Sequence, residues 1–193
     1  MEKIQKEIEE TSKYLTAKQK EFDSVTDVSR GIIRDSASAI TMLHNNDPKG
    51  AAKMIKAAYA GVKKLKKSDT KFEYYSRQAY QEYAEATIFF GIKTKEMIPS
   101  LNETGVEAEA YLLGLMDVMG ELKREILEEL RNDNVKKAEF YFSKMRLIYD
   151  STRSLRFAEA ILNGFRKKQD VARIQLEGAG SEMLSSKSTK HVC

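Results

Sequence analysis

Tyr111-Leu112-Leu113-Gly114-Leu115-Met116-Asp117-Val118-Met119-Gly120-Glu121-Leu122 is the stretch that decides the fold. Leu112, Leu115, Met119 and Leu122 recur every three or four residues, and Ile126 and Leu130 continue the series. That period is the buried stripe of an amphipathic helix, here running from about Val106 to Arg131. Asp117 and Glu121 lie about 40° apart and nearly opposite the stripe, at about 100° per residue. Gly114 and Ala110 come one and two turns before Asp117 on that side. Residues this small let another backbone approach or leave room for a substrate.

Upstream, Gln81-Glu82-Tyr83-Ala84-Glu85-Ala86 carries a second acid pair. It falls in a helix expected from about Lys71 to Glu96. Phe72, Tyr75, Ala79, Tyr83, Ala86 and Phe90 share one face of it, within about 60°. Glu82 sits about 80° off that face and Glu85 about 140° off. Pro99-Ser100 closes the segment.

The flanking chain reads as helix too. Ile4, Ile8, Tyr14, Leu15 and Phe22, then Val28, Ile32, Ile33, Ile40 and Leu43, make the first 45 residues one long element, softer around Ser24 to Asp27. Asn45-Asn46-Asp47-Pro48-Lys49-Gly50 is a break. A second helix covers about Ala51 to Lys67, with Met54, Ala58, Val62 and Leu65 inward, and Ser68-Asp69 turns after it. After the Asn132-Asp133-Asn134 loop, a fifth helix runs from about Val135 to Ser151, with Phe140, Met145, Ile148 and Tyr149 available to the core. A sixth covers about Leu155 to Leu176, with Gly178 and Gly180 as stop signals. The pattern predicts an all-α, single-domain bundle over 1–184, followed by a small, polar, flexible tail over 185–193.

Composition agrees. Of 193 residues only two are proline and ten glycine, 32% are charged and 41% hydrophobic. The one cysteine, Cys193, excludes an internal disulfide and fits a cytoplasmic location. No run approaches the roughly 20 apolar residues of a membrane span, and the acidic, amphipathic N-terminus is not a signal peptide. His44 and His191 are the only histidines, and neither follows a glutamate at di-iron spacing. Zinc ligation by Cys and His fails for the same reason. Phosphate-binding glycine patterns are missing. His44, beside a helix end, reads as a capping or partly buried residue.

Four carboxylates on two helices could hold a hard, oxygen-seeking divalent cation. In a chain with 29 Asp and Glu, though, acid pairs at these spacings are most often solvated surface. Glu125, Glu128 and Glu129 read as such surface, and Glu121 could pair with Arg124. The net charge of +4 is compatible with an anionic partner. Lys63, Lys64, Lys66 and Lys67 form one basic cluster and Arg166, Lys167 and Lys168 another. Either would attract phosphates or simply confer solubility.

Several of these segments, in order along the chain, resemble the translin family, and most closely its translin-associated factor X branch. Val28-Ser29-Arg30 with Ile33, then Leu43-His44, is similar to the family's first-helix pattern. Gln81 to Ala86 resembles its Gln-Glu-Tyr-x-Glu-Ala signature, Tyr111 to Leu122 its most distinctive stretch, and Ile148-Tyr149-Asp150 a weaker motif. The resemblance implies a bundle of about six or seven helices assembled into hollow octamers. It also implies a Mg2+-dependent endoribonuclease, with Mn2+ as a substitute ion. Glu82, Glu85, Asp117 and Glu121 would be its catalytic, metal-binding set. The short connection from about Ile98 to Gly105 points to a compact prokaryotic or archaeal member forming a homo-oligomer. Partners would be RNA and single-stranded DNA, without membrane contact. A non-catalytic, single-stranded RNA- or DNA-binding member of the same fold, and a purely structural helical oligomer, remain the other readings.

Overall fold

One continuous helix, α1 (Glu2–His44), crosses the softer patch at Ser24 to Asp27 without a break. This is a computed structural model, and it describes residues 2–67 and 72–189. The expected break follows α1. Asn46 turns left-handed at φ 56°, and the Asp47 carboxylate accepts from the Gly50 amide at 2.9 Å. Pro48 then opens α2 (Pro48–Lys67), where its missing amide proton costs nothing. The turn expected at Ser68-Asp69 and the helix start at Lys71 lie outside the described residues. The chain resumes with a 3-10 turn (Glu73–Tyr75) and α3 (Arg77–Lys95).

The short connection holds an additional one-turn helix, α4 (Leu101–Thr104), not foreseen from periodicity. A capping box between Ser100 and Glu103 stabilises it. Then come α5 (Ala108–Arg131), α6 (Val135–Thr152), capped by Asn134, and α7 (Phe165–Thr189). Among the described residues there are seven α-helices and no strand. None of these helices is long and apolar enough to cross a membrane.

The last helix departs most from expectation. Residues 155–164 form turns instead of helix. There the Arg156 guanidinium donates to the carbonyls of Arg153 and Leu155, both at 2.7 Å. The Gln169 amide donates to the Thr152 carbonyl at 2.7 Å, so the carbonyls of Thr152, Arg153 and Leu155 find partners without a helical ladder. Gly178 and Gly180 do not stop α7, which runs on to Thr189. Ala172, Ala179 and Met183 are buried on neighbouring helices, and that packing outweighs the roughly 1 kcal/mol each glycine costs in a helix. α7 thus extends past Ser185, where the sequence places the start of a tail, and residues 190–193 lie outside the description.

α5 is the central element, packed on α3, α6 and α7, while α1 packs on α2 and α3. Val118, Met119, Leu122 and Ile126 of α5 are fully buried, as are Ala79, Ala84, Ile88, Phe89 and Ile92 of α3. With α1 and α2 on one side and α5 on the other, α3 is covered nearly all round, and Glu85 is buried with it. Tyr75, expected on its packed face, is exposed.

The buried residues of α1 are Val25, Ser29, Ile32, Ser36, Ala39 and Leu43, alternating steps of four and three. Continued toward the N-terminus, that spacing passes through Leu15, Ile8 and Ile4, which are 55%, 64% and 66% exposed. One seam therefore has its C-terminal half covered within the chain and its N-terminal half open.

Candidate active site

Gly114 brings the two acid pairs together. A β-carbon there would lie 2.8 Å from the Ala84 β-carbon and 2.9 Å from the Glu85 amide nitrogen. Only hydrogen fits at this crossing, so α3 and α5 touch backbone to backbone where the carboxylates project. Gly114→Ala should cost about 1–3 kcal/mol through the forced separation, measurable by denaturant melting. A variant as stable as wild type would show that the crossing gives way freely.

Gln81, Glu82, Glu85, Asp117, Lys167 and Lys168 line an open groove of about 610 Å3 at this crossing. Glu85 is at its base, 8% exposed. Burial first, then the charges of Asp117, Glu82 and Glu121, push its carboxyl up to about 8, with Lys168 opposing. The structure thus brings Glu85 within electrostatic reach of the other three carboxylates. Asp117 receives a hydrogen bond from the Gln81 amide at 2.5 Å, and its other oxygen contacts the Lys168 ammonium. Glu121 does not line the groove, and one of its oxygens lies 2.5 Å from His44 Nε2.

His44 was the missed member. Its side chain is 7% exposed, and Nδ1 lies 2.6 Å from Glu125, so both ring nitrogens face carboxylates. An imidazolium donates from both. Burial alone would lower its pKa, but the hydrogen bonds it donates to Glu121 and Glu125, with their charges, outweigh that and raise it. Lys93 completes the group at 2.8 Å from Glu125 and 3.0 Å from the Leu43 carbonyl. Burial pushes the Glu125 carboxyl up, yet His44 and Lys93 hold it below its usual range.

Glu125 and Glu129 are therefore not solvated surface as expected; both are buried, whereas Glu128 is exposed. Asp117, Glu121, Glu125 and Glu129 form one row at four-residue spacing along α5. Each is answered from another helix: Lys168 of α7, His44 of α1, His44 with Lys93 of α3, and Lys137 of α6 at 2.6 Å. The unbroken four-residue spacing of these acids marked a shared face of α5, without showing what covers it.

Of the basic residues, Lys167 and Lys168 line the groove, while exposed Arg166 borders a separate recess with Arg156 and Phe157. Lys63, Lys64, Lys66 and Lys67 lie away from the groove on α2. There Lys66 pairs with Glu107 at 3.0 Å and Lys63 lies 4.9 Å from the centre of the Tyr59 ring.

As they stand, no group of three or more His, Cys, Asp or Glu among the described residues converges as a metal site. The donor chemistry nonetheless fits a hard divalent cation. The groove offers only oxygen donors from its acids, and the Glu85 charge is opposed by three like neighbours. In the metal-free protein Glu85 has a further consequence. A carboxyl raised above its unfolded value contributes stability that is complete below about pH 4.5 and is lost as pH rises through about 8. Glu85→Gln should therefore melt higher than wild type near pH 8 and show a shallower decline from about pH 5 upward. Parallel melting curves for the two proteins across that range would contradict the burial of a strained carboxyl.

The chain is 34% identical over 176 residues to an uncharacterised protein of Methanocaldococcus jannaschii, a match covering 89% of this chain and 79% of that protein. Among solved structures it is similar to AfC3PO from Archaeoglobus fulgidus in complex with duplex RNA, with a TM-score of 0.85 and 27% identity over 95% of this chain and 97% of that one. A crystal structure of AfC3PO gives a TM-score of 0.85 at 28% identity over 95% and 98% of the two chains. Apo-NeC3PO, at 21% identity and a TM-score of 0.77 over 93% and 96%, shares the fold. No protein-family model matches the chain.

Proposed function

Because this chain belongs to the translin family, we propose that it is a cytoplasmic, Mg2+-dependent endoribonuclease that cleaves RNA held within a homo-oligomeric, octameric shell. The observation that carries the reading is the groove, in which an acidic base formed by Glu85, Asp117 and Glu82 meets the ammonium groups of Lys167 and Lys168. The likeness to a protein solved with duplex RNA supports RNA as the substrate.

Lys167 and Lys168 are suited to draw the phosphate backbone to the groove, releasing counterions as they do. Glu82, Glu85, Asp117 and Glu121 would hold Mg2+, or Mn2+ in its place. That ion would supply a more acidic water and charge neutralisation at the scissile phosphate. A carboxylate of this set that the ion leaves uncoordinated is suited to accept a proton from attacking water. His44 holds Glu121 through Nε2 while its Nδ1 is anchored on buried Glu125. The open half of the α1 seam supports self-assembly, since Ile4, Ile8 and Leu15 would otherwise face water.

The decisive experiment is cleavage of single-stranded and duplex RNA in Mg2+ or EDTA, alongside light scattering. Cleavage in Mg2+ abolished by EDTA, from a particle of several protomers, is the expected result. Salt-sensitive binding of RNA or single-stranded DNA without cleavage would make the chain a binding member of the family instead. A clean monomer would remove the shell.

A further inference from the structure

Two of the three lysines that meet the acidic row of α5, Lys93 and Lys168, are held differently. Lys93 is locked, its side chain 8% exposed and shared between Glu125 and the Leu43 carbonyl. Lys168 is 32% exposed, stands in the first turn of α7 on the groove wall, and contacts the oxygen of Asp117 that Gln81 leaves open. A flexible ammonium can leave such a place, because water and the open groove receive it. It is also within electrostatic reach of Glu85, so a cation held by Asp117 and Glu85 would be repelled by the ammonium.

We propose that Lys168 is an exchangeable counter-ion: its ammonium neutralises Asp117 in the metal-free protein, yields that oxygen to an incoming divalent cation, and then binds the RNA phosphate at the groove wall. The inference rests on the reading of the acidic groove as a metal site and adds an occupant exchange to it. The metal-free site thereby avoids a full cluster of like charges. The same side chain then becomes a phosphate ligand only when the site is loaded.

The exchange makes a prediction of opposite signs for one substitution. Lys168→Met removes the competing cation, so Mn2+ titrated calorimetrically into the full-length, metal-free protein should bind about tenfold more tightly, within the usual range for coupled sites. Cleavage at saturating Mn2+ should instead fall about tenfold or more, with the phosphate ligand gone. Lys13→Met, which removes one positive charge on the exposed part of α1, should leave Mn2+ affinity as in wild type and so control for net charge. If Lys168→Met binds Mn2+ no more tightly than wild type while Asp117→Asn loses the ion, the exchange is wrong and the metal site stands. If Mn2+ tightens but cleavage at saturation is unchanged, the phosphate role is wrong. If neither wild type nor Lys168→Met takes up Mn2+, the metal site and the exchange fall together.

Discussion

Asp117→Asn should abolish most RNA cleavage, by about 10²- to 10⁴-fold, the range seen when a group acting in the chemical step is removed. The substitution keeps size and shape and removes one charge from the groove. Its structural cost is small. The Lys168 contact it weakens is partly exposed, with side chains 32% and 22% accessible, and such pairs are worth only about 0–1 kcal/mol. The Gln81 amide can still donate to the asparagine oxygen. Helicity and particle size should therefore match wild type, and RNA affinity in EDTA should hold or rise, because one negative charge facing the phosphates is gone. Wild-type cleavage by Asp117→Asn, with contaminating nuclease excluded, would remove Asp117 from the chemistry.

How much of this was legible in the sequence depended on whether one helix or two were needed to see it. The apolar period of α5 placed Leu122 and Ile126 in the core, and Gly114 pointed to the close approach that the structure contains. The acid pairs were visible for the same reason, since spacing along a helix is local. Burial of Glu85 was not legible, because α3 is enclosed by α1, α2 and α5 and a helix buried all round shows no single stripe. Nor was the fate of Glu125. An acid at four-residue spacing looks the same whether it faces water or a lysine 32 positions away, as Lys93 is. The apolar residues of α1 were read correctly as a stripe. Whether anything covers them is a tertiary fact, and among the described residues nothing covers Ile4, Ile8 and Leu15.

The buried half of the acidic row sets the second large effect. Lys93→Met should destabilise the protein by about 3–5 kcal/mol, the cost of leaving one partner of a buried pair without the other. Two losses coincide there. The Glu125 carboxylate, 6% exposed, keeps only His44, and the Leu43 carbonyl at the end of α1 loses a hydrogen bond of 3.0 Å. In a protein of this size, 1 kcal/mol corresponds to about 2–4 °C in melting temperature, so a fall of about 10 °C is expected. Lys66→Met supplies the contrast, because its pair with Glu107 is much more exposed and should cost under about 1 kcal/mol. Adding Glu125→Gln to Lys93→Met replaces the stranded charge by a neutral amide of the same shape. It should recover part of the loss, and the double-mutant cycle then measures the coupling directly. A Lys93→Met protein that melts within about 2 °C of wild type would show that Glu125 is solvated or neutral. The row along α5 would then not be tied to α1 and α3, and His44 would lose the anchor from which it holds Glu121.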